Sequence, residues 1–343
     1  MAVNQPKPVL ATVAAMAGVS TPTVSKVVNG HADVSEKTRA KVQLALDKLG
    51  YQSPMQRRAK LAGPLLVEFV TQSIDSHYLT EVLRGALDYA AGQDVEVVIS
   101  AMSAEQLSLR DHDKWAQRMF GLGRTGLLLV TSEVPQDLLD AFARRKIPVV
   151  VVDPWNPPPS GFVSVGATNW AGGKAAGEYL LGLGHRKIAF LGGDPGAECS
   201  IARLHGYLAA LAGADIEVRP DYVVKGAFSR EFGLRATKQL LDLEEPPTAI
   251  FASSDTVALG VLDEARRRNL KVPEDLSVIG FDGTSLAEQT LPRLTSVAQP
   301  LKEMGRVALR SILQLSRDEV LDARNVELAT QLVVRDSTAS PRN

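Results

Sequence analysis

Short apolar runs rich in Val, Ile and Leu alternate with helical stretches from residue 65 to residue 281, and this alternation constrains the fold most strongly. The runs occupy residues 65–70, 95–99, 126–130 and 148–152 in the first half and 188–191, 249–252 and 276–281 in the second. Such runs, separated by helices, are typical of buried parallel strands joined by crossover helices. The sequence therefore predicts an α/β fold with two doubly wound parallel-sheet lobes of about 100–130 residues each.

The composition excludes several classes of protein. Hydrophobic residues make up 45% and charged residues 22%, which is the balance of a globular chain rather than a disordered one. No apolar run reaches the length of about 18 residues that a membrane helix needs, and no signal peptide precedes the body, so we expect a cytoplasmic protein without a membrane partner. Cys199 is the single cysteine, which excludes an internal disulfide and a cysteine-rich zinc site.

Charge is distributed unevenly along the chain. The net charge is −1, yet residues 1–62 contain nine Lys and Arg against three Asp and Glu, while the remaining residues contain 29 and 36. A basic segment on an acidic body is typical of a protein whose head binds a polyanion. A chance surplus of charge on a solvated surface is the alternative.

The basic segment has the pattern of a helix-turn-helix module. Gly18 permits the positive φ of a tight turn, and Ser20 can cap the following helix by accepting a first-turn N–H. The second helix presents small polar residues and Lys26 outward, a shape that suits the DNA major groove, although a helical cap domain with solvated polar faces is the alternative. The apolar positions at helical spacing are Leu10, Val13, Ala14, Ala17, Val24, Val27, Val28, Val42, Ala45, Leu46 and Leu49.

Residues 14–30, AAMAGVSTPTVSKVVNG, resemble the DNA-binding headpiece of the lactose-repressor (LacI/GalR) family, and VSEKTR at 34–39 and LGY at 49–51 continue the match. The resemblance implies an all-α helix-turn-helix headpiece at residues 1–50, which binds a pseudo-palindromic double-stranded DNA operator within a homodimer. It also implies that Thr21, Pro22 and Lys26 read bases. The positions that hold phosphates by this resemblance are Ser20, Thr23, Ser25 and Asn29.

The chain departs from the family pattern at two places. Val9 stands where the family usually places a Ser or Thr cap for the first helix. The family continues its LGY with Pro-Asn and an Ala-rich hinge helix whose leucine enters the minor groove, whereas the linker at 51–64 has Lys60 at the leucine position and Leu61 one residue later. Either the hinge is shifted by one residue, with Leu61 as the wedge, or the basic side chains of the linker contact phosphates instead.

The body resembles the same family. Four segments of the body match sequence blocks that occur in the family in the same order: GHRKIA at 184–189, RLHGY at 203–207, PTAIFASSD at 247–255 and VPEDLSVIGFD at 272–282. A fifth segment, LTSVAQP at 294–300, resembles the one that crosses back to the first lobe. The resemblance implies the fold of periplasmic sugar-binding proteins, whose two lobes close over a small ligand.

The predicted lobes are each made of two stretches of chain. The N-terminal lobe spans 65–162 plus about 296–325, and the C-terminal lobe spans 163–295 plus about 326–343. The proline-rich stretch PWNPPPS at 154–160 cannot continue a helix or an inner strand, so it is interpreted as the exit from the first lobe.

The candidate effector site lies beyond the carboxyl ends of strands, where open α/β sheets bind their ligands. Aromatic faces for C–H groups, together with Asp and Arg for charge-assisted hydrogen bonds, are typical of a site for a small sugar. Asp75 and Tyr78 follow the first strand, and the resemblance adds Arg203, Phe228, Ser254 and Asp282 from the second lobe.

Several of these residues have a structural alternative. Tyr78 and Phe228 also fit core aromatics, and Arg203 also fits a bridge to a carboxylate. The Ser254 hydroxyl also fits a helix cap. Trp170 departs from the Asp-Asn pair that is usual in the family, and it either adds a stacking face or packs on the surface.

The sequence lacks complete motifs for other functions. GLGRTG at 121–126 spells GxGxxG, but it follows a helix and precedes a strand, the reverse of the dinucleotide-binding order. No nucleophile occurs with a base and an orienting group, so we expect no enzyme, no cofactor and no metal. The sequence predicts a sugar-responsive transcription regulator, with repression as the expected action. The alternatives are a solute-binding protein of a sugar transporter, which requires a signal peptide, and a sugar-modifying enzyme such as a kinase, which requires a phosphate loop.

Overall fold

The computed structural model describes residues 10–28, 34–49, 64–156 and 162–342, and the chain divides into two compact units, Met1–Pro64 and Leu65–Asn343. Val9, Asn29, Leu61 and the linker at 51–63 lie outside the described residues, so what the sequence predicts for them stays a prediction.

The first unit contains the helices α1 (Leu10–Ala17), α2 (Thr21–Val28) and α3 (Glu36–Leu49). Gly18 has a φ of +65°, which confirms the predicted turn between α1 and α2. Ser20 Oγ accepts a hydrogen bond from the Thr23 N–H at 3.4 Å, so the predicted cap forms. The buried core of this unit consists of Val13, Ala14, Val24, Val27, Val42, Ala45 and Leu46.

The second unit alternates strands and helices, as the apolar runs predict. Its first half contains β1 (Leu65–Thr71), α4 (His77–Ala91), β2 (Val95–Ala101), α5 (Ala104–Ser108), α6 (His112–Gly121), β3 (Arg124–Val130), α7 (Gln136–Ala143), β4 (Val149–Val152) and β5 (Val163–Ala167). Its second half contains α8 (Asn169–Gly182), β6 (Ile188–Leu191), α9 (Glu198–Gly213), a 3₁₀ turn (Pro220–Tyr222), β7 (Val223–Val224), α10 (Arg230–Leu241), β8 (Ala249–Ala252), α11 (Asp255–Arg267), β9 (Ser277–Asp282), α12 (Ser285–Gln289), β10 (Thr295–Ala298), α13 (Leu301–Ser316), β11 (Asn325–Leu328) and β12 (Gln331–Val333).

These strands form two six-stranded sheets, one in each lobe. The first has the order β11-β5-β4-β3-β1-β2 with parallel pairing, and the second has the order β12-β10-β9-β8-β6-β7, in which β12 pairs antiparallel with β10. Helices cover both faces of each sheet, and the cores lie between helices and sheet. The predicted class, two doubly wound parallel-sheet lobes after an all-α headpiece, is confirmed.

The division between the lobes differs from the prediction. β5 was assigned to the C-terminal lobe, but it pairs with β4, and Val163 and Val165 join the core of the first lobe. The PWNPPPS stretch therefore connects two strands of one sheet rather than marking the exit from the lobe. The chain first crosses to the second lobe at Thr168, between β5 and α8.

The crossing segments lie together. Thr330, between β11 and β12, donates its backbone N–H to Thr168 Oγ1 at 3.0 Å, and the two threonine hydroxyls are 3.1 Å apart. The second crossing along the chain, at Gln299 and Pro300, leads from β10 to α13 and begins next to Asp282, whose carbonyl accepts from the Gln299 N–H at 3.0 Å. The connections between the lobes are therefore adjacent to the candidate effector residues.

Within the described residues, none of the helices is long and apolar enough to cross a membrane.

Candidate functional site

The exposed face of α2 carries the predicted DNA-contacting residues. Val24 and Val27 are buried in the headpiece core, and Thr21, Pro22 and Lys26 are exposed on the other side of the helix. Thr23 and Ser25 are half-buried at the edge of this face, and the Thr23 hydroxyl lies 2.8 Å from the exposed Ser20 hydroxyl. The structure therefore brings together all the predicted DNA-contacting residues that it describes, as a surface of small side chains with one lysine.

A cluster of polar side chains begins in the first lobe, where the Tyr78 hydroxyl contacts the Asp153 carboxylate. Tyr78 lies in the first turn of α4, and its Oη donates a hydrogen bond of 2.6 Å to Asp153 Oδ2. Asp153 follows β4 directly and has a φ of 45°, a left-handed conformation that is uncommon for a residue with a side chain. Asp153 is not among the residues predicted from the sequence, although its place directly after the valine run of β4 is the signal that applies to ligand sites of open sheets.

Burial changes the ionisation of this pair. Burial raises the pKa of the Tyr78 hydroxyl well above its usual value, and the negative charge of Asp153 adds to the effect. Burial also raises the pKa of Asp153, against the opposing influence of the Tyr78 hydroxyl and of the Arg203 charge. Tyr78 is therefore a hydrogen-bond donor at neutral pH, and Asp153 is a carboxyl group that ionises less readily than usual.

Arg203 and Asp282 form the centre of this polar cluster in the second lobe. Arg203 lies in α9 and is 3% exposed, with Nη1 at 3.4 Å from Asp282 Oδ1. Its Nε donates to Asn169 Oδ1 at 2.8 Å, and its Nη1 donates to the Ser253 carbonyl at 2.6 Å. Asp282 ends β9 with a φ of 103°, and its Oδ1 accepts from Gln299 Nε2 at 2.8 Å. A strained backbone at a buried charge is typical of a functional site.

Hydrogen-bonding capacity is left unused around this centre. Within the described residues, Gln299 Oε1 and Ser253 Oγ are buried without a hydrogen-bond partner. Burial raises the pKa of Asp282 to about 7, and the carboxyl groups of Asp255 and Asp153 raise it while Arg203 lowers it. Unpaired buried polar atoms cost about 1–3 kcal/mol each, so a ligand with hydroxyl groups can recover free energy here.

Aromatic rings flank the guanidinium of Arg203. Its Cζ lies 3.8 Å from the centre of the Phe281 ring and 6.0 Å from that of the half-buried Phe228. The Phe228 ring packs on Gly193, where a Cβ would lie 2.1 Å from it. Phe228 is thus brought to the centre, as predicted, and Phe281 is an aromatic neighbour that the sequence analysis did not single out.

Two predicted effector residues have other surroundings. Asp75 is exposed, and among the described residues its carboxylate makes no hydrogen bond or ion pair. Ser254 is buried, and its Oγ accepts from the Val257 N–H at 3.1 Å, which is the helix-cap alternative named from the sequence. The neighbouring Asp255 accepts hydrogen bonds from Thr284 and Ser296, which fix it within the second lobe.

A cavity of about 450 Å³ opens beside this polar cluster, next to the first crossing of the chain between the lobes. Asp153, Asn169 and Cys199 line it, and Asn169 Oδ1 accepts a hydrogen bond from Arg203 Nε at 2.8 Å. Burial raises the pKa of the Cys199 thiol to about 11, so the thiol is neutral and not a nucleophile. Within the described residues, no group of three or more His, Cys, Asp and Glu side chains could hold a metal ion.

Comparisons with known proteins agree with both parts of this description. Residues 9–53 match the model of bacterial regulatory proteins of the lacI family, and residues 178–338 match that of a periplasmic binding protein-like domain. The HTH-type transcriptional repressor PurR of Vibrio campbellii is 33% identical over 95% of this chain and 97% of its own length. The repressor CytR of Escherichia coli is also 33% identical, over 95% of each chain. The chain belongs to the LacI family.

Solved structures place this LacI-family regulator among proteins of the same kind. The transcriptional regulator CelR in complex with cellobiose has a TM-score of 0.71 and 29% identity, over 96% of this chain and 99% of its own. The lac repressor dimer bound to operator has a TM-score of 0.69 and 27% identity, over 97% of this chain and 100% of its own. The prediction of a DNA-binding transcription regulator is confirmed, and the two alternatives, a transporter's solute-binding protein and a sugar-modifying enzyme, are not supported.

Proposed function

We propose that this LacI-family regulator represses transcription from a pseudo-palindromic operator and releases it when a neutral, sugar-like effector binds between its lobes. The observation that carries the proposal is the buried Arg203–Asp282 centre, whose neighbours Gln299 and Ser253 keep unused hydrogen-bonding atoms. Tyr78 and Asp153 supply a second donor and acceptor from the other lobe. A ligand that contacts both lobes stabilises their closed arrangement by its differential affinity for that state.

The chemistry of the centre favours hydroxyl groups. A carboxylate beside a guanidinium presents an acceptor and a donor at once, which suits a sugar hydroxyl pair. The half-buried ring of Phe228 offers an apolar face for the C–H groups of a pyranose. Arg203 already donates to Asn169, to the Ser253 carbonyl and to Asp282, so its charge is compensated and does not call for an anionic effector.

Operator recognition is assigned to α2 within a homodimer. One short helix offers few base contacts, so two headpieces are required to read half-sites about one helical turn apart. Thr21, Pro22 and Lys26 supply the base contacts in this proposal, and Ser20, Thr23, Ser25 and Asn29 supply the phosphate contacts. The lac repressor of similar structure is a dimer on its operator, which supports this assembly.

Two assays with the full chain test the proposal. In vitro selection from random duplex DNA should yield a two-fold symmetric site, and sedimentation should show a dimer bound to it. Differential scanning fluorimetry with saccharides should raise the melting temperature, because a ligand at 100 times its dissociation constant adds about 2.7 kcal/mol of stability. An asymmetric selected site would contradict the dimeric recognition, and stabilisation by sugar phosphates alone would contradict the neutral effector.

A further inference from the structure

The cavity next to the first crossing of the chain is large enough for a small molecule. Its volume of about 450 Å³ lies within the range of about 300–1,000 Å³ that is typical of sites for small molecules. Asp153 belongs both to this cavity and to the pair with Tyr78, and Asn169, which also lines the cavity, accepts a hydrogen bond from Arg203 Nε at 2.8 Å. The cavity is therefore adjacent to the Arg203–Asp282 centre.

Trp170 gives the cavity an aromatic wall. It is the second residue of α8 and is 48% exposed, which is a large exposure for an indole in a folded domain. Its backbone packs closely on α9, where a Cβ at Gly206 would lie 2.0 Å from the Trp170 carbonyl oxygen. Trp170 is thus carried by a helix that packs closely on α9, and the flat apolar face of an indole suits the C–H groups of a sugar ring.

The polar lining supplies both donors and acceptors. Carboxylate and amide oxygens that can accept hydrogen bonds come from the lining residues Asp153, Asn169, Glu198, Asn325 and Glu327. The first turn of α8 reaches the cavity and has no side-chain cap at its N-terminus in the described structure, so its backbone N–H groups remain for hydroxyl oxygens. In α9, by contrast, the Glu198 N–H already donates to the Trp155 carbonyl at 2.9 Å. Among its described lining residues there is no Lys, Arg or His, which disfavours a phosphate group in this cavity.

We propose that the effector is a disaccharide or a related glycoside, with one ring at the Arg203–Asp282 centre and a second ring stacked on Trp170 in the adjacent cavity. This inference rests on the proposed sugar effector and adds its size and the residue that selects it. Trp170 is then a specificity-determining residue, which distinguishes two-ring ligands from single rings.

The test uses the full chain and measures affinity by isothermal titration calorimetry. The probes are cellobiose, maltose, lactose and sucrose, their component monosaccharides, the corresponding monosaccharide 6-phosphates, and the nucleosides cytidine and adenosine. One disaccharide should bind at least about tenfold more tightly than its component monosaccharides, which corresponds to the free energy of one aromatic contact. Trp170→Ala should lower the disaccharide affinity to the monosaccharide level and leave the monosaccharide affinity unchanged.

Two further variants separate a binding role from a structural one. Trp170→Phe should keep most of the disaccharide preference because it keeps an aromatic face. Leu109→Ala, which removes an exposed side chain in the other lobe, should change neither affinity. Equal affinities for the disaccharide and its monosaccharides, tighter binding of a nucleoside, or an equal loss of both affinities in Trp170→Ala would overturn the inference and leave the proposed function standing. The absence of binding by every saccharide would overturn the sugar effector itself, and this inference with it.

Discussion

At the scale of single residues, the carboxyl groups between the lobes are the most informative feature. Asp153 and Asp282 are each less than a tenth exposed, and burial raises the pKa of both. Each has one strong hydrogen-bond donor, Tyr78 for Asp153 and Gln299 for Asp282, and they share the nearby charge of Arg203. Two carboxyl groups with raised pKa values therefore share one guanidinium, which makes both pH and bound ligand relevant to the stability of the site.

Asp282 should make the free energy of unfolding depend on pH. Its pKa of about 7 in the folded chain exceeds the ordinary value of 3.8, so the folded state keeps a proton that the unfolded state loses between these values. The contribution of Asp282 to stability therefore falls as pH rises from about 4 to about 7, and Asp282→Asn should flatten the slope in that window. Urea unfolding from about pH 4 to about pH 8 measures this slope.

Asp336→Asn is the matched control for that measurement. Arg293 lowers the pKa of the exposed Asp336, so this carboxyl group stays ionised across the same window and its removal should leave the slope unchanged. Asp255 has a pKa raised to about 6 and contributes in the same direction as Asp282, so the slope should be reduced rather than abolished. An unchanged slope in Asp282→Asn would contradict the ionisation described for this residue.

The hydroxyl of Tyr78 should stabilise the folded state through Asp153. Tyr78→Phe removes the 2.6 Å hydrogen bond and leaves a buried carboxyl group without that donor, which should cost about 1–3 kcal/mol. Tyr89→Phe is the control, because Tyr89 packs against the same core and its hydroxyl has no hydrogen bond among the described residues. Urea unfolding of both variants at pH 7 measures the difference, and equal stabilities would show that the Tyr78–Asp153 bond contributes nothing.

At the scale of elements, close helix pairs hold each lobe together. α4 packs on α13 through Gly85 and Gly305, and a Cβ at Gly85 would lie 1.8 Å from the Lys302 carbonyl oxygen. A Cβ at Gly305 would lie 1.9 Å from the Val82 carbonyl oxygen. Since α13 follows the crossing at Gln299, this contact fixes the returning chain on the first lobe.

Gly85→Ala should therefore destabilise the first lobe by about 1–3 kcal/mol or more, because backbone atoms cannot move aside as a flexible side chain can. Gly182→Ala is the matched control, since Gly182 ends α8 and a Cβ there meets no heavy atom within 4 Å. That variant should be neutral or stabilised by up to about 1 kcal/mol. Thermal unfolding of the two variants gives the comparison, and similar melting temperatures would contradict the close contact between α4 and α13.

The sequence predicts some elements better than others for physical reasons. Central parallel strands such as β4 and β9 are buried on both faces, so continuous apolar runs reveal them. β5 alternates its valines with Ser164 and Gly166, and the sheet it joins depends on where the chain crosses between lobes, which no local pattern records. Asp153 differs from β5, because its place directly after β4 is a local signal, whereas its partner Tyr78 is known only from the folded chain.

At the scale of the whole molecule, the chain combines a basic headpiece with an acidic two-lobed body. Lys26→Ala should weaken binding to the selected operator by about 1–3 kcal/mol and relax the preference at one base position. Lys238→Ala removes an equal charge from an exposed position of α10 and should change the affinity little. Fluorescence anisotropy with the selected operator and single-base variants of it measures both effects, and equal losses in the two variants would reduce the role of Lys26 to general charge.

The most direct test of the account is a titration of the selected operator with and without the saccharide that binds most tightly. For the unmodified chain, the saccharide should weaken operator binding by about 5- to 150-fold, the usual range of allosteric coupling. Asp282→Ala should bind the operator within about twofold of the unmodified chain and show no response to the saccharide, because Asp282 lies in the body rather than in the headpiece. A full response in Asp282→Ala, or operator binding that the saccharide leaves unchanged in the unmodified chain, would contradict the control of DNA binding by the site between the lobes.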